Sequence, residues 1–393
     1  MNIHSRLRAG YYAADRCDLG AFASAVDRET TAAEVPNAVG IEHNIPVYDI
    51  ASLGDCLSQP DERRALMSEW ATVLRDGAGV FIQKQAQPDH HTIDAATSVY
   101  ERIIAEERAA GGEGSDHFAA AGSNDRIWNA LQKLCLSDPG VFLRYFAAPA
   151  VDAASEAWLG PNYQMTAQIN VVHPGGKAQQ AHRDYHLGFQ TAEVSATYPA
   201  HVHDLSPLMT LQGGIAHCDM SIESGPTKLL PFSQLYRPGY AAWRREDFRA
   251  YFEDHYVQVP LEKGDALFFS PALFHAAGEN SSTDVHRMVN LLQVSSAFGR
   301  AMETVDRIGM CEALYEPLRA AWRGGDLSET DLNAVIASTA EGYAFPTNLD
   351  QDPPVGGLAP ETQAALLKRM ITSDAPATEF TAQAKAQYAR RSA

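Results

Sequence analysis

The spacing of apolar positions changes along the chain. Over residues 60–76 (PDERRALMSEWATVLRD), Leu66, Trp70 and Val73 recur at helical spacing, and the run stops at Gly77-Ala78-Gly79, which predicts a helix ending in a turn. Val80-Phe81-Ile82 then reads as a buried strand. Residues 90–109 repeat the helical period and end in charge (Glu101, Arg102, Glu106, Glu107, Arg108). Residues 111–125 are rich in Gly, Ser and Ala and predict a loop, and 126–158 again predict helix. Residues 1 to about 45 are weakly periodic, an extended lead-in that reaches a first short strand at Asn44–Asp49.

Near residue 162 the period falls to two. Tyr163 to Val172 alternates and is β-branched, as a strand should be. Further strands are predicted at 208–221, 227–231, 256–260, 265–270 and 286–297. Turn signals separate them: Pro174-Gly175-Gly176, Ser224-Gly225-Pro226, Lys263-Gly264-Asp265 and Gly278-Glu279-Asn280. Many short strands with such turns predict a β-sandwich or jelly roll. From 299 onward the chain reads as helix, interrupted by a Pro/Gly stretch at 346–360. The expectation is therefore a mainly β core over 161–298, flanked by a helical part at 1–160 and helices at 299–393. No long linker separates these blocks, so one domain spanning 1–393 is expected.

Composition adds exclusions. Hydrophobic residues at 45% and charged residues at 20% are ordinary for a globular chain. A net charge of −18 disfavours duplex DNA and anionic membrane as partners, because phosphate binding needs Lys and Arg. The five cysteines are scattered and form no CxxC, which fits a reducing compartment. The first twenty residues lack an apolar h-region, and no apolar run is long enough to span a bilayer. A cytoplasmic protein with a small-molecule partner is expected, with neither nucleic acid nor membrane. Nothing in the sequence indicates an oligomeric state.

His-x-Asp occurs twice, at His182-Arg183-Asp184 and His217-Cys218-Asp219. Chance alone gives about one such match at average composition, so downstream residues must carry the argument. The strand at 265–270 leads to His275, a polar turn follows, and the next strand carries Arg287. A hairpin centred near Ser281 would make His275 and Arg287 cross-strand neighbours on one face. Buried Arg needs a carboxylate or phosphate, and its planar fork suits a carboxylate. Together, His182, Asp184 and His275 make the 2-His-1-carboxylate set that holds non-haem Fe(II) and leaves three positions open. Those positions suffice for a bidentate 2-oxo acid and O2, with Arg287 receiving the far carboxylate. By alternation His286 faces away from Arg287 and is a poor rival to His275.

His182-x-Asp184, Glu223-Ser224-Gly225-Pro226-Thr227-Lys228-Leu229-Leu230-Pro231-Phe232-Ser233-Gln234, Lys263-Gly264-Asp265, His275 and Arg287 together resemble the phytanoyl-CoA dioxygenase-like family of Fe(II)/2-oxoglutarate oxygenases. The resemblance covers residues 163–297. It implies a double-stranded β-helix (jelly-roll) core, iron on His182, Asp184 and His275, and 2-oxoglutarate on Arg287, with Asn170 at the position of an Asn that touches 2-oxoglutarate in relatives. Gln168 shares the strand face of Asn170 and is a further cofactor candidate. Many relatives carry a hydroxyl residue two places after the distal His, where this chain has Ala277. Related halogenases lack the carboxylate ligand, so Asp184 favours oxygenation. Candidate substrate residues are Tyr185, His186, Arg126, Trp128 and His217.

The function these residues predict is Fe(II)/2-oxoglutarate-dependent hydroxylation of a small molecule, consuming O2 and releasing succinate and CO2. A cupin-like isomerase or hydrolase that does not use 2-oxoglutarate is an alternative. A non-catalytic jelly roll that binds small ligands is a second, which leaves Arg287 without a partner.

Overall fold

The computed structural model describes residues 10–110, 123–345 and 348–392. The start of the lead-in, most of the loop expected at 111–125 and the first two residues of the stretch at 346–360 lie outside the described residues. The expected early helices form at Pro60–Arg75, where Leu66, Trp70 and Val73 are buried, and at His90–Ala109. The helical run expected over 126–158 is three helices, Ala130–Ser137, Pro139–Phe146 and Pro149–Leu159. Two of them restart at a proline, which is tolerated in a first turn where its missing N–H costs nothing. The C-terminal helices span Arg307–Gly324, Glu329–Thr339, Gln363–Thr372 and Ala377–Arg391. No helix of the described residues is long and apolar enough to cross a membrane.

The strands are β1 (Gly40–Glu42), β2 (Ile45–Asp49), β3 (Val80–Lys84), β4 (Asn124–Ile127), β5 (Gln164–Val172), β6 (Thr210–Ala216), β7 (Lys228–Leu230), β8 (Ala266–Phe269), β9 (Phe274–Ala276) and β10 (Arg287–Ser295). Eight form one sheet in the order β1-β2-β3-β8-β6-β10-β5-β4, and β7 and β9 form a separate ribbon. Within the sheet β2 and β3 pair in parallel and the other neighbours are antiparallel.

This overturns the expected β-dominant jelly roll. Helix makes up 46% of the chain and strand 16%, and the sheets are open and uncurled. Two causes are visible. Segments inside the expected β region fold as helices, at Ala200–Leu208 and Glu246–His255. Where a strand was expected at 256–260, Val257 makes only an isolated bridge to Leu229. In the other direction, the part at 1–160 supplies four strands of the sheet: β2 and β3 at the expected places, and β1 and β4 where lead-in, loop or helix was expected. The expected hairpin is also absent. His275 lies opposite Leu229 on β7, whereas Arg287 lies opposite Val172 on β5. β10 pairs along all nine residues with β5 and over 289–295 with β6, which three-residue β9 cannot offer.

Strand alternation gives the sheet two unlike faces. Met165, Ala167, Ile169 and Val171 on β5, Leu211 and Ile215 on β6, and Met288, Leu292 and Val294 on β10 join the largest apolar cluster, which also contains the helices. Positions of opposite parity put Thr166, Gln168 and Asn170, Gln212, and Arg287 and Gln293 on the other face, all buried. At the β3 and β8 end this second face is apolar, with Val80, Ile82, Leu267 and Phe269. The Lys263-Gly264-Asp265 turn aligns β8. Asp265 is fully buried, pairs with Lys84 at 2.8 Å and accepts the Gln85 and Glu262 N–H groups.

Candidate metal centre

The chain returns from β5 through the Pro174-Gly175-Gly176 turn and pairs backbone to backbone with β9. The His182 N–H donates to His275 O (3.0 Å) and the His275 N–H donates to His182 O (3.2 Å). This pairing sets the two imidazoles side by side, with ring centroids 4.5 Å apart. Asp184, two residues on, has the same parity as His182. Its Oδ1 is 3.6 Å from His182 Nε2 and its Oδ2 is 3.3 Å from His275 Nε2. Ligand atoms of all three residues lie within 4.8 Å of one another, and among the described residues they are the one such group.

Hydrogen bonds around the three fit a metal. His182 Nδ1 lies 2.8 Å from Gln180 O and His275 Nδ1 2.9 Å from Leu273 O. A carbonyl can only accept, so each Nδ1 carries the proton and each Nε2 lone pair is free to bind a cation. Gln212 Nε2 donates to Asp184 Oδ2 at 2.6 Å and fixes the carboxylate plane. Burial opposes charge on Asp184, but the neighbouring imidazoles outweigh it and hold the carboxyl well below its usual range. Burial likewise opposes the His182 imidazolium, and Asp184 outweighs it, so that pKa is raised.

Arg287 is 4% exposed. It donates to two neutral carbonyls, Ser224 O (3.1 Å) and Gly278 O (3.3 Å), and among the described residues it pairs with no carboxylate. Burial pulls its pKa down to about 10, so the guanidinium remains charged at neutral pH. Asn170 shares its face, and the buried Asn170 Oδ1 has no hydrogen-bond partner. Gln168 is already engaged. Its Oε1 accepts from Arg126 (3.0 Å), and its Nε2 donates toward Glu303 Oε1 (3.4 Å).

Of the substrate candidates, Tyr185 and His186 follow Asp184 directly, both with positive φ (62° and 38°). Such backbone in non-glycine residues is strained and persists where the surroundings enforce it. The Tyr185 hydroxyl bonds Gln293 Oε1 on the polar sheet face, and His186 Nδ1 meets Ser206 Oγ at 3.1 Å. Arg126 stacks over Trp128 at 5.2 Å. His286 is exposed and bonds His173, away from the three ligands, as alternation anticipated.

His217 does not join the site. It faces the helices, where its Nδ1 meets Thr97 Oγ1 and its Nε2 meets Tyr145 OH, both at 2.8 Å. Alternation gave its parity but not which face the helices would cover. Burial, aided by Lys263, lowers its pKa to about 3. The unfolded chain, with a His pKa near 6.5, then binds more protons than the folded one. The contribution of His217 to stability, on the order of a few kcal/mol, is full above about pH 6.5 and is lost as pH drops toward 3. His217→Gln is expected to flatten this acid limb in urea titrations, and an unchanged limb would clear His217 as its source.

Gln212, Tyr240, Gln293 and Glu303 were not singled out from the sequence. For Gln212 and Gln293 a signal existed: polar residues at the site-facing parity of two apolar strands. Tyr240, whose hydroxyl donates to Asp184 O at 3.0 Å, lies in a short helix and left none.

The sequence profile of the phytanoyl-CoA dioxygenase (PhyH) family matches residues 61–289, more than half of the chain. The chain belongs to this family, within the Fe(II)/2-oxoglutarate oxygenase superfamily. It is 26% identical over 147 residues to the dioxygenase trt7 of Aspergillus terreus, covering 37% of this chain and 46% of that protein. To the dioxygenase andF of Emericella variicolor it is 26% identical over 143 residues, covering 35% and 45%. The chain thus spans about half the length of the curated relatives it matches. Similar solved structures include the non-heme alpha ketoglutarate dependent carbocyclase SnoK from nogalamycin biosynthesis (19% identity, TM-score 0.42, 58% of this chain and 83% of that one). The epimerase SnoN from the same biosynthesis is another (17%, TM-score 0.39, 59% and 83%).

Proposed function

We propose that the chain is an Fe(II)/2-oxoglutarate-dependent dioxygenase that hydroxylates a small organic molecule. The observation that carries this is the triad itself: His182, Asp184 and His275 converge within 4.8 Å, with both Nδ1 atoms committed to carbonyls. In this reading they hold the iron, and Arg287 takes the far carboxylate of 2-oxoglutarate, the acid its buried charge lacks. Asn170 contributes its amide to the same co-substrate. Bound iron with 2-oxoglutarate supplies O2 activation, coupled to release of succinate and CO2.

The protein's own groups do the rest. Gln212 keeps the Asp184 carboxylate turned toward the two imidazoles. Tyr185 and His186, held in strained backbone beside the ligand, border the space where a substrate C–H would lie. Gln168, occupied by Arg126 and Glu303, orders those two charged side chains along that space rather than serving the co-substrate directly. Tight positioning of this kind decides which C–H reacts.

Gln212→Leu is expected to weaken Fe(II) affinity about 10–100-fold, the range for losing an outer partner of a ligand. Unchanged affinity in a metal-competition titration would show that the carboxylate is held without it. The reading as a whole is tested by anaerobic Fe(II) loading followed by 2-oxoglutarate titration, watching for the visible charge-transfer band of the chelate. A band saturating at one equivalent supports it. A metal-loaded protein that gives no band would favour an isomerase or hydrolase that does not use 2-oxoglutarate.

A further inference from the structure

Between the two ligands of the His-x-Asp motif sits Arg183, whose side chain points away from the metal site into the apolar cluster behind it. It is 2% exposed, and it lies against Tyr236 and Phe274 of that cluster. No carboxylate pairs with it among the described residues, and its Nε finds no hydrogen-bond partner. A lone cation in such surroundings is costly, so what it touches is informative.

One arm of the guanidinium donates to two main-chain carbonyls, Ser233 O (2.6 Å) and Tyr236 O (2.9 Å). Its carbon lies 5.3 Å from the Tyr240 ring and 5.2 Å from the Phe274 ring. Three of these four partners lead back to a ligand. Phe274 precedes His275 in β9, and its N–H donates to Ser233 Oγ (2.8 Å). Tyr240 donates to the Asp184 carbonyl (3.0 Å). Arg183 itself joins His182 to Asp184. Two glycines leave it room. A Cβ on residue 239 would lie 1.9 Å from the Arg183 guanidinium carbon, and one on residue 188 would lie 2.1 Å from Arg183 O.

We infer that Arg183 is a positioning residue for the metal centre: its guanidinium clamps the 233–240 segment and the Phe274 ring, and so fixes the His182–Asp184 pair relative to His275. The inference rests on the metal-centre reading above. A residue serving the fold alone would lower thermal stability and metal binding together. The clamp separates them, because an apolar side chain of similar length suits the cluster while leaving the ligand loop unanchored.

The test uses Co(II) on the full chain, read by its visible d–d spectrum, by competition affinity and by thermal melting. Arg183→Met is expected to keep the melting temperature, lose at least about tenfold in Co(II) affinity and alter the spectrum. Arg183→Lys, which keeps the charge but not the two-carbonyl grip, is expected to behave the same way. Wild-type affinity and spectrum in either folded variant would overturn the inference. If Arg183→Met does not fold, Gly239→Ala decides, since the new methyl displaces the guanidinium without removing it. Weakened Co(II) binding in that variant supports the clamp, and wild-type binding overturns it. A wild-type protein that takes up no Co(II) would instead sink the metal-centre reading, a separate failure.

Discussion

Asp184→Ala is expected to give a folded protein that no longer holds Fe(II) and no longer consumes 2-oxoglutarate. The carboxylate is the one anion of the triad and lies 3.3–3.6 Å from both imidazole Nε2 atoms. Without it two neutral histidines remain, and affinity should fall by more than the about 100-fold that loss of an outer partner causes. The fold should survive, because the Asp184 side chain lies outside the apolar clusters and its backbone contacts to Pro271 and Tyr240 do not depend on the carboxylate. Equilibrium dialysis against Fe(II), with circular dichroism as the control, reads both parts. Retained stoichiometric iron would remove Asp184 from the ligand set.

Arg287→Met should separate stability from co-substrate binding. A lost charge-assisted contact with one partner still buried costs about 2–5 kcal/mol, so the apparent 2-oxoglutarate requirement should rise by more than about tenfold. The same substitution removes a buried cation that has only the Ser224 and Gly278 carbonyls for company. Replacing such a charge by an apolar side chain is often neutral or stabilising by about 1–4 kcal/mol. The protein without 2-oxoglutarate is therefore expected to melt no lower than wild type. Added 2-oxoglutarate should raise the wild-type melting temperature through linkage and leave the variant unmoved. An equal rise in both would place the co-substrate elsewhere.

The triad was legible because each member carries its own signal: a His-x-Asp pair after an alternating strand, and a histidine after a Lys-Gly-Asp turn. Arg287 was legible as a cation with no internal use. The wider architecture was harder to read. Residues 200–208 lie inside the expected β region, yet they form a helix through Pro207. Strand β9 has three residues, too few for a period, so its pairing with β7 was invisible and Arg287 was assigned to the wrong neighbour. Alternation marked His217 and Gln212 as belonging to opposite parities, but only the packed helices decide which parity is core. Arg183 left no signal, because its partners are carbonyls and rings distant in sequence.

The division of the sheet into two faces has a consequence for how this protein can change. On β5 the even-numbered positions from 164 to 172, on β6 those from 210 to 216, and on β10 the odd-numbered positions from 287 to 295 share the face that bears the site. Their neighbours of opposite parity hold the helices. In the proposed reading, a combinatorial library confined to the site-facing set, sparing Asn170, Gln212 and Arg287, would vary the walls around the metal centre while each strand keeps the residues that pack against the helices. On that reading, substrate preference and the integrity of the scaffold are written in alternate letters of the same strands.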